Sequence, residues 1–294
     1  MIAWLAYLAA GSAVRLLPPG VADRACLALA RLAFHAGLPV RRAQEQNLAR
    51  LLDQPVGTAI RARARESFEH FALALSDFLR LEGVGHQTLA RSVEVRGGEH
   101  FDAARASGRG VILLSAHLGN WEWGAAWLAA RGVHLHVAAR LHPSPRVERL
   151  FHRRRRAWGI SMLPARAPWR SAAEAVRRGE WVAMMSDRPG HPRAERGRGG
   201  RAESWGTPRS PCAFAAALAR RTGAVVLPAV MIHLPGRRYA ACFEPPVPSG
   251  RAAAGLSRRC DGARGESFRT TLRRYLVRYP GQWCAFEPTS GVLG

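Results

Sequence analysis

The sequence predicts a single α/β domain: a mixed central β-sheet flanked by helices on both faces, preceded by an N-terminal helical membrane-associating segment. Three observations lead there. Short apolar or alternating runs of strand length, such as Gly110–Leu114 and Trp181–Ser186, alternate with longer stretches of helical period, the pattern of strands separated by packed helices. The 294 residues are 48% apolar, which suffices for one sizeable core. Beyond residue 20 no linker or internal repeat divides the chain.

Met1 to Val14 is an uncharged run followed by Arg15. It lacks the basic n-region and cleavage site of a signal peptide, and it is shorter than the ~20 residues of a spanning helix. With Trp4 and Tyr7 it suits a helix dipped into one leaflet, or else an apolar helix packed on the core. The break at Leu16–Gly20 separates a segment 1–20 from a domain 21–294, helical to residue 90 and α/β from 91. Helices are expected over Val21–Leu38 (amphipathic), Arg41–Leu52 and Val56–Leu81, the last carrying a core stripe of Phe68, Phe71, Leu75 and Phe78. Ser92–Arg96 alternates like a strand, a short helix follows, and Gly110–Leu114 reads as a buried strand leading to a helix over Trp121–Ala130. Val133–Ala139 is the next strand. Its His134 and His136 form a pair with no third ligand in spacing, so they read as structural and no metal site is expected.

A helix over Val147–Trp158 holds Arg153–Arg156, and a helix over Ser171–Arg178 leads to the strand Trp181–Ser186, which ends in Asp187–Arg188. Pro189–Gly206, rich in Gly and Arg, reads as a mobile loop. A helix from Pro211, strands over Val225–His233 and Tyr239–Phe243, a loop over Gly250–Gly265 and a helix over Glu266–Tyr279 complete the chain.

The chemistry concentrates at Ser115–Gly124, SAHLGNWEWG. His117 sits where a strand ends, and Glu122 falls in the first turn of the next helix. On one continuous helix the two would point about 140° apart, but a bend at Leu118–Gly119 lets the imidazole fold back onto the carboxylate. A neutral His held by a carboxylate is the arrangement of a general base. The plainer alternative is a capped loop histidine, with Asn120 as N-cap and Glu122 favoured by the helix dipole.

The string resembles the H-x4-D/E motif of glycerolipid acyltransferases. More narrowly, His117-x-Gly119-Asn120-Trp121-Glu122 resembles the late acyltransferases of lipid A biosynthesis and the related enzymes that acylate phosphatidylinositol mannosides. Supporting similarities are Arg155 four residues before Gly159, Gly206-Thr207-Pro208, a Thr222-Gly223-Ala224 signature and Pro280-Gly281-Gln282-Trp283. The resemblance implies an O-acyltransferase in which His117 and Glu122 are the catalytic pair and Gly119 and Asn120 support the motif or the oxyanion. Arg155, Asp187 and Arg188 would contact substrate or its phosphates. For Arg155 the alternative is a solvated charge run, and for Asp187 a loop cap. The resemblance further implies an acyl carrier protein or coenzyme A thioester as co-substrate, no cofactor or metal, and direct transfer without an acyl-enzyme. The acceptor would be a membrane lipid, lipid A-like or another glycolipid, at the cytoplasmic face of the inner membrane. Where lipid A enzymes tend to have aromatic and basic residues, this chain ends its motif with Cys284-Ala285-Phe286-Glu287-Pro288.

The formal charge of +23, carried entirely by 44 arginines, favours anionic partners. Nucleic acid is one class, but the arginines are spread along the chain without a binding motif, so no nucleic-acid partner is expected. An inactive lipid-binding member of the fold is the other alternative. The five cysteines form no C-x-x-C and read as reduced.

Overall fold

A short β-branched and leucine-rich run fits a central strand covered on both faces, and Val111–Ser115 is buried at all of its positions. The computed structural model describes residues 11, 14–139, 142, 144–164, 168–188, 211–247 and 268–289. In chain order the elements are helices α1 (Pro19–His35), α2 (Pro39–Leu52), α3 (Thr58–Arg80) and α4 (His86–Arg91), strand β1 (Val93–Arg96), α5 (Gly98–Ala106), β2 (Val111–Ser115), α6 (Trp121–Ala130), β3 (Leu135–Ala138), α7 (Pro145–Ala157), β4 (Ser161–Met162), α8 (Pro168–Arg177), β5 (Trp181–Met185), α9 (Pro211–Thr222), β6 (Val225–Leu234), β7 (Arg238–Phe243) and α10 (Phe268–Arg278), with a closing 3₁₀ turn over Pro280–Gln282.

Among the described residues the strands form one seven-stranded sheet in the order β1-β7-β6-β2-β5-β3-β4. It is mixed, because β7 runs antiparallel to β6 and carries the parallel β1 on its outer edge. The other pairings are parallel. Alternation along β2 divides the core into two layers. Ile112 and Leu114 pack with Ala172, Phe214 and Leu272 on one face. Val111 and Leu113 pack with Phe101, Trp123 and Trp127 on the other. Helices therefore cover both faces, as the alternation of elements predicts.

The expected helices and strands are present with shifted ends, and α4 and β4 are additional. Both are too short, at six and two residues, to carry a periodic signal. The amphipathic reading of α1 holds with an unexpected orientation. Its buried residues are Ala22, Ala30 and Phe34, whereas Leu29 and Leu32 are 65% and 67% exposed. Small alanines let α1 lie close on α3, which turns the leucines outward. All of the expected 1–14 helix except Gly11 and Val14 lies outside the described residues, as do the Pro189–Gly206 and Gly250–Gly265 loops and the Gly206-Thr207-Pro208 match. Among the described residues no helix is long and apolar enough to cross a membrane.

Candidate active site

β2 and β5 are parallel neighbours in the register Ser115↔Met185. Two residues further along each, His117 and Asp187 leave the carboxyl ends of the strands side by side. The His117 Nδ1 lies 2.9 Å from Asp187 Oδ1. The second carboxylate oxygen, Oδ2, accepts a hydrogen bond from the Trp283 indole Nε1 at 2.9 Å. Asp187 is fully buried. Burial alone would push its carboxyl up, but the charge and hydrogen bond of His117 and the indole N–H override it and hold the carboxyl down at about 2. A carboxylate ionised at neutral pH beside Nδ1 favours the Nδ1–H tautomer of His117 and leaves Nε2 as the acceptor.

The turn that presents His117 is held from two sides. The Gly119 N–H donates to the Gln282 carbonyl at 3.0 Å, the Asn120 N–H to the Met231 carbonyl at 3.3 Å, and the Cys284 N–H to the His117 carbonyl at 2.8 Å. Gly119 has φ +62°, and a Cβ there would lie 1.9 Å from the Met231 oxygen, so only glycine fits both the left-handed backbone and the close approach. The Gln282 side chain extends the β6 ladder, accepting from the His233 N–H and donating to the His233 carbonyl, each at 2.9 Å.

The sequence pairs His117 with Glu122. The structure corrects this: the imidazole partner is Asp187, and Glu122 is held by Arg155. Arg155 Nη2 lies 2.5 Å from Glu122 Oε1 and Nε lies 3.1 Å from Oε2, a bidentate pair with side chains 10% and 14% exposed. A planar, permanently charged guanidinium fits a carboxylate better than a neutral imidazole does. Phe151 and Phe78 flank Arg155, with ring centroids 5.6 and 5.9 Å from its guanidinium carbon. Arg155, expected to meet a substrate phosphate, is therefore engaged inside the protein.

Asn120, a candidate oxyanion donor, is also occupied. Its Oδ1 accepts from the Trp123 N–H at 3.1 Å as the N-cap of α6, and its Nδ2 donates to Asp77 Oδ2 at 3.2 Å. The Gly119 amide is spent on Gln282. Asp187, expected to meet the acceptor or cap its loop, instead orients His117. Arg188 donates to the Cys284 carbonyl at 3.1 Å and lies 3.9 Å from Glu287, so it braces the C-terminal segment. His136 pairs with Glu180 at 2.8 Å, in keeping with its structural reading.

One buried network escaped the sequence reading. Asp77, 3% exposed, accepts from Tyr239 Oη, Asn120 Nδ2 and, at 3.2 Å, Arg237 Nη1. Arg237 in turn grips Asp23 with two nitrogens. Burial pushes the Asp77 carboxyl up to about 6 against the pull of Tyr239 and Arg237. Its members come from α1, α3, the N-cap of α6, the β6–β7 turn and β7, so no local spacing could reveal it.

Beside this turn an apolar cleft of about 60 Å³, partly open to solvent, lies between α6 and the sheet. Ser115, Trp121, Glu122, Met185, Leu113 and Trp127 are among the residues that line it. The Trp121 ring stands edge-on to the His117 ring, centroids 5.0 Å apart. A general base next to an apolar cleft can activate a hydroxyl beside a bound hydrocarbon chain.

The family model described as bacterial lipid A biosynthesis acyltransferase matches residues 1–254. A phosphatidylinositol mannoside acyltransferase of Mycobacterium tuberculosis is 32% identical over 231 residues, 76% of this chain and 70% of that protein. The protein of the same name from Mycolicibacterium smegmatis is 30% identical over 189 residues, 63% of this chain and 61% of that one.

Proposed function

Because the chain belongs to the bacterial lipid A biosynthesis acyltransferase family, and is an O-acyltransferase of the lipid A and phosphatidylinositol mannoside type, we propose that it moves a fatty acyl chain from an acyl carrier protein or coenzyme A thioester to a hydroxyl of a membrane glycolipid. The observation that carries the mechanism is the His117 ring, fixed through Nδ1 by a buried, ionised Asp187 and standing against Trp121, which lines the apolar cleft. The acyl chain occupies the cleft, with its thioester carbonyl beside His117. His117 Nε2 takes the acceptor's hydroxyl proton as the oxygen attacks the carbonyl carbon. The tetrahedral adduct then collapses, the C–S bond breaks, and the departing thiolate takes the proton from the imidazolium. Asp187 stabilises the imidazolium between these steps. Asn120 caps the third amide of α6; the first-turn amides of Trp121 and Glu122 serve the oxyanion in this scheme. Transfer is direct, with no acyl-enzyme.

The acceptor in this reading is a lipid A-like glycolipid or a phosphorylated mannolipid, reached by peripheral attachment to the cytoplasmic face of the inner membrane. Support comes from α1 and the residues before it, where Leu16 is 83% exposed and Leu29 and Leu32 stand outward beside exposed Arg24 and Arg31. Apolar side chains rimmed by arginine suit an anionic lipid surface. The test incubates purified protein with a long-chain acyl thioester and glycolipid acceptors in mixed micelles. Release of one thiol per ester formed, abolished in His117→Ala, is the expected result. A folded wild-type protein that esterifies no glycolipid would overturn the proposal.

A further inference from the structure

Asp77 is a buried carboxylate that the transfer chemistry does not touch. It sits on α3, and it does not line the cleft. Three donors outside α3 converge on it. Its Oδ2 accepts from Asn120 Nδ2 at 3.2 Å and from Tyr239 Oη, and its Oδ1 accepts from Arg237 Nη1 at 3.2 Å. An ionised carboxylate offers only acceptors, so it takes all three, whereas an amide of the same shape has to turn a donor toward one of them. Asp23, gripped by Arg237, and Arg80 complete the charged surroundings. Keeping a charge here works against folding. Because burial pushes the carboxyl up to about 6, the ionised form at neutral pH is held at a cost in stability. Charged groups kept at such a cost concentrate where function constrains the residue.

What the charge does is visible at Asn120. The Asn120 amide has donors at one end and an acceptor at the other. With Nδ2 facing Asp77, Oδ1 faces the Trp123 N–H at 3.1 Å and caps α6. Turned over, the amide would set its donors against the Trp123 N–H and an oxygen against the carboxylate. Tyr239, the second donor to Asp77 Oδ2, stacks on the Trp123 ring with centroids 5.2 Å apart, so the same carboxylate steadies the first turn of α6 from two sides. That turn carries Trp121 against His117, and Glu122 in the grip of Arg155. From this arrangement we infer that Asp77 is a positioning residue for acyl transfer: it fixes the orientation of the Asn120 amide and, through that cap, aims the first turn of α6 at the reacting carbonyl. The inference rests on the proposed transfer and adds a residue of α3 to the groups on which its rate depends. Asp77 sets where the amides of Trp121 and Glu122 point as the oxyanion forms, and it has no contact with the acyl chain to lose. Its influence therefore falls on kcat and spares binding of the thioester.

The test compares D77N, N120D and the exchanged pair D77N/N120D with wild type, all as full-length protein. D77N sets an amide against the Asn120 amide and frees the latter to turn over. N120D keeps a capping oxygen but sets two carboxylates against each other. The exchanged pair restores one donor facing one carboxylate, with a carboxylate oxygen still available to the Trp123 N–H. Turnover of a long-chain acyl thioester with a glycolipid acceptor, the melting temperature at neutral pH, and amide hydrogen exchange at Trp123 by NMR are measured on all four. D77N is expected to lower kcat about tenfold, the order of one lost cap, with KM for the thioester unchanged and no fall in melting temperature. Exchange at the Trp123 amide should quicken by a similar factor. N120D should lose at least as much, and the exchanged pair should recover kcat to within about threefold of wild type. Wild-type kcat in D77N would overturn the inference, and a lowered melting temperature alongside it would make Asp77 a purely structural group. An exchanged pair no faster than N120D would overturn it as well, and that comparison stands even if D77N alone does not fold. Exchange at Trp123 is read without turnover. A wild-type protein that transfers no acyl chain would therefore register as failure of the reaction, whereas unchanged exchange in D77N would register as failure of the positioning.

Discussion

Two acid–base pairs lie beside the first turn of α6, one through the contact of His117 with Trp121 and one through Glu122, and they differ in how they are built. His117–Asp187 joins the ends of adjacent parallel strands, and its carboxylate is fully buried with a second donor from Trp283. Glu122–Arg155 joins two helices, with both side chains retaining a little exposure. The first pair leaves one ring nitrogen uncommitted and fits proton transfer. The second pair consumes both carboxylate oxygens and fits a clamp that fixes the first turn of α6 against α7. Residues five apart in sequence therefore do different work, because each is completed by a distant partner.

The largest effects should separate the two pairs by activity. His117→Ala and Asp187→Asn are each expected to lower kcat by roughly 10²–10⁴, and the double variant should be scarcely worse than His117→Ala, since the two act as a unit. Single-turnover kinetics on the three variants checks this. Additive losses would break the assignment of Asp187 to the imidazole.

Next in size is stability. Glu122→Gln and Arg155→Met should each cost about 3 kcal/mol by leaving a charge uncompensated, and the double variant should lose much less than the sum. A double-mutant cycle from urea unfolding measures the coupling. Independence of the two, or coupling between Glu122 and His117 instead, would restore the pairing that the sequence suggests.

The smallest effect is pH-dependent and lies outside both pairs. Folded Asp77 binds its proton more tightly than the unfolded carboxyl, its value raised from 3.8 to about 6. Stability should therefore decline as pH rises from about 4 to 6, by on the order of 2–3 kcal/mol, and level off above. Asp187 acts with the opposite sign: its depressed value gives stability that is present above about pH 4 and lost as pH falls toward 2. Asp77→Asn should flatten the profile between pH 4 and 6 and leave the acid limb intact, as read from urea midpoints across pH.

The sequence carries the fold more fully than the site. Strands such as Val111–Ser115 announce themselves through buried apolar runs, and α6 begins where Asn120 caps it. His117 is legible as well, because a histidine at a strand end followed by glycine is a local pattern. Its partner is not. Asp187 lies seventy residues away, and only the parallel register of β2 and β5 brings the two together. Glu122, close in sequence, was the natural choice until Arg155 claimed it. Trp283 was visible as part of a motif without a role, since an indole that donates to a buried carboxylate leaves no trace in spacing. Leu29 and Leu32 show the converse, for periodicity marks an apolar stripe without saying whether protein or another phase covers it.

The hydrogen bonds that tie Gln282 and Cys284 to the turn around His117, and Trp283 to Asp187, also set an order of assembly. A chain emerging from the ribosome exposes its amino end first, so the sheet strands up to β7 are available before the residues that lock the turn. Until Trp283 is released, Asp187 lacks its second donor and Gly119 its carbonyl anchor. The catalytic geometry is thereby withheld from every incomplete copy, and a nascent or truncated chain ending before Pro280 holds the histidine without the frame that aims it.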